Sequence, residues 1–507
     1  MPNSPVAPGT NFVFFGDSLS DNGNLEDAAQ GVLPQAVLDQ INGFDGRASN
    51  GLTFVEYISA LLGLPEGLNY AIAGGEASGS QTLEEFIADF GLTDQIIVPQ
   101  DDPRLDFDMN LGAQVDRFVS DAGTADLSSV SAFILVGGND YLELRNADNL
   151  LVAALALFET LSSATDKTIE AASDLIQSGV GEVVISSLPT AAFFPSIASL
   201  GGSTVEIVNI LIDIHNQNLA NGVAALADSG ANVRLLDMES VTGAYVEDPS
   251  MFGFFAPPSL TLIEGDPTEV AQFDPDQIAF WDSIHPSAAL HEMLGAYTAF
   301  ALENTVVSLS SGNDARILSD DGDLAFGFAG DDQVTGGLGD DILLMGSGDD
   351  IAIGGGGDDI VAGGSGADSL EGGDGADILA GGRGNDTVLG GAGEDILIDG
   401  LGADSVDGGA GNDIFIFIDD ALKGTTDDGL TDTIQGGDGD DALVLVLDQA
   451  TVDQLIADNN TTESTAFAAL GLDVTGIEQI EVLIGLDELD ALSNLEWYTQ
   501  ADLWGLL

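Results

Sequence analysis

The chain contains no cysteine. No disulfide can staple the fold, and no thiolate can act as a nucleophile. Basic residues are almost as scarce: 9 Lys and Arg stand against 86 Asp and Glu, a formal net charge of −77 over 507 residues. Such a polyanion is repelled by nucleic-acid phosphates and anionic lipid surfaces and attracts divalent cations, so a nucleic-acid partner is excluded. The acid is spread along the chain, with 43 acidic groups up to residue 305 and 43 beyond it. That suits a secreted or salt-adapted protein kept soluble by surface carboxylates. No stretch approaches the roughly 18 uninterrupted apolar residues of a membrane span, so stable membrane insertion is not expected. Met1–Thr10 lacks the basic and apolar regions of a cleavable signal peptide. An exported chain would carry its address elsewhere. Only three histidines occur, which confines imidazole chemistry to His215, His285 and His291.

What is present divides sharply in two. Within residues 11–303, short apolar runs at Asn11–Phe15, Ala132–Val136, Glu182–Ser187 and Asn232–Asp237 read as buried parallel strands. Helix-period segments lie between them: Thr53–Leu62, Leu111–Ser120, Ala164–Ser178 and Val205–Asp228. Pro286 fits the first turn of a last helix running to about Glu303. Alternating strands and helices imply an α/β three-layer sandwich, a parallel sheet covered on both faces. Residues 79–110 have weak periodicity and suit a long loop or a lid, and the apolar loop Phe252–Pro258 suits an acyl-chain groove or a lid.

From Leu309 to Ile416 a period of nine takes over, with the form Gly-Gly-x-Gly-x-Asp-x-(apolar)-x. The sixth position is aspartate at Asp332, Asp341, Asp350, Asp359, Asp368, Asp377, Asp386, Asp395, Asp404 and Asp413; Asp314 and Asp323 continue the register backwards in two degenerate units. The apolar eighth position, from Val334 and Leu343 to Val406 and Phe415, should face inward from a short strand. Glycines let several carbonyl oxygens turn towards one point, and the aspartate adds an anionic oxygen. A hard cation wanting six to eight oxygens fits that set. A flexible linker would need neither the fixed aspartate nor the fixed apolar residue. An insertion at about 417–435 breaks the register, Gly436–Val444 is one more copy, and 448–507 is a non-repetitive cap or tail. The expected domains are 1–305, 306–447 and 448–507.

These nonads resemble the RTX (repeats-in-toxin) family over about residues 309–444. The resemblance implies an all-β parallel β-roll, with several structural calcium ions held by the aspartate series and none in an active site. It also implies secretion through type I machinery on an uncleaved C-terminal signal, in keeping with the apolar end Trp497–Leu507.

The chemistry should begin at Gly16-Asp-Ser-Leu19, directly after the first strand, which places Ser18 at the carboxyl edge of the sheet. No G-x-S-x-G elbow exists, so an α/β-hydrolase is not the template. In Trp281-Asp-Ser-Ile-His-Pro286, His285 can take the serine proton at Nε2 while Asp282 holds its Nδ1–H. The Ser18 N–H, the Gly74 N–H and the Asn139 amide can form the oxyanion hole. His215 reads as a surface or structural residue mid-helix, and His291 as a packing residue of the last helix or a support for the loop before it.

Over about residues 11–303 the chain resembles the GDSL, or SGNH, hydrolases: Ser18 in Gly-Asp-Ser-Leu, Gly74 in Asn-Tyr-Ala-Ile-Ala-Gly, Asn139 in Gly-Gly-Asn-Asp, and Asp282 with His285 in Asp-Ser-Ile-His-Pro. Gly46-Arg-Ala-Ser-Asn-Gly51 with Val55-Glu-Tyr57 resembles the plant-lipase-like and bacterial outer-membrane esterase branch. The resemblance implies a flavodoxin-like sheet and hydrolysis of carboxylic esters through an acyl-enzyme on Ser18. The leading expectation is a secreted esterase or lipase acting on small-molecule or lipid esters. A polysaccharide O-acetyl esterase is one alternative. A calcium-stabilised surface or adhesion protein with a vestigial hydrolase domain is the other. A zinc protease is excluded, since His291-Glu292 is followed by no second histidine in H-E-x-x-H spacing.

Overall fold

The computed structural model describes residues 12–17, 52–61, 68–71, 105–106, 108–136, 150–199, 202–247, 249–252, 278–280, 284–418, 431–447 and 471–484, with scattered positions within 32–99, 254–282 and 450–470. Two compact units divide the chain: residues 1–246 with 254–302, and residues 303–507 with 247–253.

The first unit is built on five parallel strands: β1 (Phe12–Gly16), β2 (Leu68–Asn69), β3 (Ser131–Leu135), β4 (Glu182–Ser186) and β5 (Val233–Leu236). Their order, β2-β1-β3-β4-β5, is the flavodoxin-like one. Successive side chains point to opposite faces of a strand. On one face Val13, Phe15, Ala132, Ile134, Val183 and Ile185 join a core cluster. Helices α2 (Leu111–Ala122), α3 (Leu150–Gln177) and α4 (Gly202–Asp228) supply Val115, Phe118, Leu175 and Leu219 to it. Phe14, Phe133 and Val184 point the other way and are equally buried, so both faces are covered. Each such side chain contributes about 1.5–3 kcal/mol. Helices α1 (Phe54–Leu61), α5 (Met238–Glu247) and α6 (Ala288–Glu303) complete the unit.

Three boundaries differ from the sequence reading. Helix α3 starts at Leu150 rather than Ala164, because Leu150–Phe158 is apolar all round and shows no helical stripe. Strand β2 is too short to register as a pattern. Pro286 lies outside the last helix, in an antiparallel bridge with Phe280; Ser287 caps the helix instead, its Oγ accepting the Leu290 N–H at 3.4 Å.

The second unit is a two-sheet roll of nine and eight strands, all parallel, with consecutive strands falling in alternate sheets. Two nonads therefore make one turn, and each strand pairs with the one 18 residues on, as in Leu343↔Val361↔Leu379↔Leu397↔Phe415. These eighth-position residues are no more than 1% exposed and fill the space between the sheets. Gly375 (φ +148°) shows why the loops need glycine: a Cβ there would stand 1.8 Å from the Gly357 carbonyl oxygen of the turn before. The insertion adds ten residues. Val406 pairs with Ile434, a step of 28 instead of 18, and the roll continues unchanged. Strands Leu472–Thr475 and Gln479–Ile484 then extend both sheets beyond the last nonad.

Candidate active site and repeat carboxylates

In this strand order the topological switch lies between β1 and β3, so the chains leaving β1 at Asp17 and β3 at Val136 border the crevice where such sheets bind ligands. Of the site residues read from the sequence, Asp282 and His285 are described. Ser18, Gly74 and Asn139 lie outside the described residues, as do Gly46–Gly51, most of 79–110, all of the 252–258 loop except Phe252 and Phe254, and Trp497–Leu507.

Asp282 and His285 meet directly. Asp282 Oδ2 accepts from His285 Nδ1 at 2.8 Å, and its Oδ1 accepts the N–H groups of Ile284 and His285, both at 2.8 Å. Burial pushes the Asp282 carboxyl up, but the His285 hydrogen bond and charge and the two N–H groups outweigh it, holding the pKa below the ordinary value. The carboxylate stays ionised, which fixes the proton on Nδ1 and leaves Nε2 as the basic nitrogen. Both side chains keep about a fifth of their surface, 22% and 21%. The loop is held from behind by Phe280, which bridges to Thr261 and Pro286 and packs against Phe193 at 5.3 Å. At the far end of α6, Arg234 of β5 pairs with Glu182 at 3.1 Å and donates to the Leu302 carbonyl at 2.7 Å, supplying the cation that the last turn of α6 lacks.

The other histidines are structural. His215 is 3% exposed, with Nδ1 at 2.9 Å from Thr165 Oγ1 and 3.1 Å from the Leu161 carbonyl, tying α4 to α3. Its placement as a core residue corrects the surface half of the sequence reading. His291 is fully buried; burial first, then the charge of His285, lower its pKa to about 3, so it stays neutral.

One positioning residue escaped the sequence reading. Strand β2 ends where Tyr70 N–H meets the Phe14 carbonyl at 2.8 Å, so the next pair of β1 groups on that side, those of Gly16, has no strand to bond. Gln114 of α2, fully buried, fills the gap: its Oε1 accepts Gly16 N–H at 2.9 Å and its Nε2 donates to Gly16 O at 2.8 Å and Met109 O at 2.9 Å. A primary amide copies the peptide pattern of the missing strand, and it clamps the residue from which the chain turns into Asp17. Gln114→Met keeps the volume and loses all three bonds. It should lower kcat for ester hydrolysis about 10- to 100-fold with little change in KM, since small misplacements are costly. An unchanged kcat would show that Gln114 serves packing alone.

The roll presents a second chemistry. Its sixth-position aspartates are at most 3% exposed, and each Oδ1 accepts the N–H of the corresponding aspartate one turn earlier, as from Asp332 to Asp350 (2.7 Å) and Asp350 to Asp368 (2.8 Å). The second oxygen, Oδ2, is buried without a hydrogen bond at Asp332, Asp350, Asp359, Asp368, Asp377, Asp386, Asp395, Asp404, Asp413 and Asp441. Asp341 differs, its Oδ2 accepting Gly337 N–H at 2.8 Å. The degenerate units differ too: Ser310 and Ser319 donate to Oδ2 of Asp314 and Asp323. A buried carboxylate oxygen left open costs several kcal/mol unless a cation completes it. Among the described residues no three carboxyl or imidazole groups converge, so such an ion would draw its remaining oxygens from the glycine-loop carbonyls, as calcium does. Burial first, and then mostly neighbouring carboxylates, raise Asp350, Asp377, Asp386 and Asp413 to about 6, Asp359, Asp368 and Asp395 to about 7, and Asp404 to about 8, against the pull of the ladder N–H groups. Two members were hidden by the insertion and the tail. Asp432 accepts from Asp404 at 2.9 Å, and Glu478 ends one series by accepting from Asp441 at 2.9 Å.

Comparison with known proteins agrees with both halves. The family model of the GDSL-like lipase/acylhydrolases matches residues 12–298. The RTX calcium-binding nonapeptide repeat matches four times, at 318–352, 353–388, 389–416 and 426–445. A GDSL esterase/lipase of Arabidopsis thaliana is 28% identical over 331 residues, covering 58% of this chain and 82% of that protein. The phosphatidylcholine-sterol acyltransferase of Aeromonas hydrophila is 25% identical over 337 residues, covering 58% and 90%. The secreted effector protein SseJ of Salmonella typhimurium is 29% identical over 189 residues, covering 37% and 36%. With its strand order, its Asp282–His285 pair and a family match over more than half its length, the chain belongs to the GDSL-like lipase/acylhydrolase family and is an acyl-ester hydrolase that carries calcium-binding RTX repeats.

Proposed function

We propose that the protein is a secreted serine esterase or lipase working through an acyl-enzyme on Ser18. The supporting observation is the Asp282–His285 pair, a 2.8 Å contact with the carboxylate held ionised and the imidazole oriented. In this reading His285 Nε2 removes the Ser18 proton as Oγ attacks the ester carbonyl. The oxyanion is met by the Ser18 N–H, the Gly74 N–H and the Asn139 amide. His285 then protonates the departing alcohol, and water repeats the sequence to free the acid. Calcium on the roll carboxylates stabilises that unit and takes no part in the ester chemistry. Export uses the type I route, with the roll ordering where calcium is plentiful.

Lipid esters are favoured over sugar acetates, because relatives matched along most of their length are named esterase/lipases and a phosphatidylcholine-sterol acyltransferase. A p-nitrophenyl ester series from acetate to palmitate tests this. Turnover extending to butyrate and longer chains supports it, and a sharp fall beyond acetate would favour the O-acetyl esterase.

Asp282→Asn keeps the imidazole but loses its orientation, so kcat should fall about 10⁴-fold. That is less than the loss from His285→Ala. The reverse ranking would remove Asp282 from this role.

A further inference from the structure

Position one of the nonad abuts the sixth-position carboxylate. A Cβ built at Gly354, Gly372 or Gly390 would stand 2.3, 2.3 or 2.4 Å from Oδ2 of Asp359, Asp377 or Asp395 of the same nonad. That spot adjoins the oxygen that has no hydrogen bond, and glycine keeps it open. The unit Asp399–Asp407 breaks the rule, with an aspartate at position one. Its backbone keeps to the glycine track: the Asp399 carbonyl oxygen lies 2.6 Å from a Cβ built on Gly381, as that of Gly381 lies 2.7 Å from one built on Gly363. The Asp399 side chain therefore starts beside Asp404, and both residues are only 3% exposed.

Asp404 keeps its ladder bond from Asp386 N–H at 2.8 Å, while its Oδ2 is buried with no hydrogen bond. Asp386, Asp399 and Asp432 all oppose its ionisation, after burial itself. Two adjacent buried carboxylates oppose ionisation of the folded state unless an ion lies between them. The one other clear nonad without glycine at position one has Met345 there, which brings no charge.

We propose that Asp399 adds a carboxylate to the calcium site of Asp404, which then releases its ion more slowly than the loops of the same roll that have no acid at position one. The proposal rests on the reading that the repeats bind calcium, and it assigns one particular site within them. Affinity of calcium loops rises with the number of anionic ligands, so the separation in release rate should be about tenfold or more.

The test uses the full chain loaded with calcium and mixed rapidly with a fluorescent calcium chelator. The parent should release one ion per chain in a separate slow phase. Asp399→Gly restores the repeat's own glycine, and Asp399→Asn keeps the volume without the charge. Both should lose the slow phase while the faster ions and the calcium-saturated circular dichroism stay as in the parent. A slow phase that persists in either variant would overturn the proposal, as would a glycine variant that holds calcium more tightly than the parent. A parent that binds no calcium would overturn the repeat reading itself, so the two failures are distinct.

Discussion

Ser18→Ala is expected to lower kcat/KM for acyl esters by about 10⁴- to 10⁶-fold while leaving circular dichroism and calcium uptake unchanged. The scale follows from nucleophile and base acting as one unit: with either removed, only binding and oxyanion stabilisation remain. His285→Ala should fall in the same range, and the double variant should be scarcely worse than either single one. Mass spectrometry after a substrate burst adds a second readout, an acyl adduct on the parent that is missing from Ser18→Ala. Activity within tenfold of the parent would assign the chemistry to another residue, and the Asp282–His285 pair would then need a different partner.

Calcium removal should make the roll's stability fall as pH rises, the opposite of ordinary acid denaturation. A carboxyl whose folded pKa is raised stabilises the fold fully below its unfolded value of about 4, and that contribution is lost as pH climbs through the raised value. Here the raised values run from about 6 at Asp350 to about 8 at Asp404. In chelator the roll should hold its β structure near pH 5 and lose it between about 6 and 8, while saturating calcium should flatten the dependence. A tenfold change in proton affinity is worth about 1.4 kcal/mol, so eight displaced groups act on the scale of a domain's whole stability of about 5–15 kcal/mol. Circular dichroism melts of the full chain at pH 5, 7 and 8.5, with and without chelator, read this out. Stability that stays level or rises across that range without calcium would show that the aspartates are not held in the fold as described.

The sequence displayed some layers of this molecule and hid others, for physical reasons. Strands β1, β3 and β4 were visible because each is buried on both faces and reads as a short apolar run; β5, at the sheet edge and only partly buried, still reads as a short run of the same kind. The nonad was visible because one backbone geometry recurs every nine residues, forcing the same glycine and aspartate positions each time. The Asp282–His285 pair was legible because the partners lie only three positions apart. Gln114 was not: a glutamine on an apolar helix face carries no signal until strand β2 is seen to stop two residues short of Gly16. Asp432 and Glu478 were hidden similarly, since the ten added residues shift the register and Glu478 lies in a stretch without repeats. Asp399 was visible as a departure from glycine, but its neighbour's open oxygen belongs to three dimensions.

The carboxylate ladder of the roll also has a direction. Each sixth-position amide finds its acceptor one turn further along, from Asp332 to Asp350 in one series and from Asp341 to Asp359 in the other, which ends where Asp441 reaches Glu478. Fifth-position amides reach back instead, as from Asp349 to Asp331 at 3.2 Å, so the forward direction belongs to the sixth-position series. The stack resembles a row of hooks whose eyes are all sewn on the following piece, with the final eye in a segment outside the repeats. A chain ending anywhere before Glu478 leaves an open amide at its last turn, so the roll's integrity is decided by residues that look least like it.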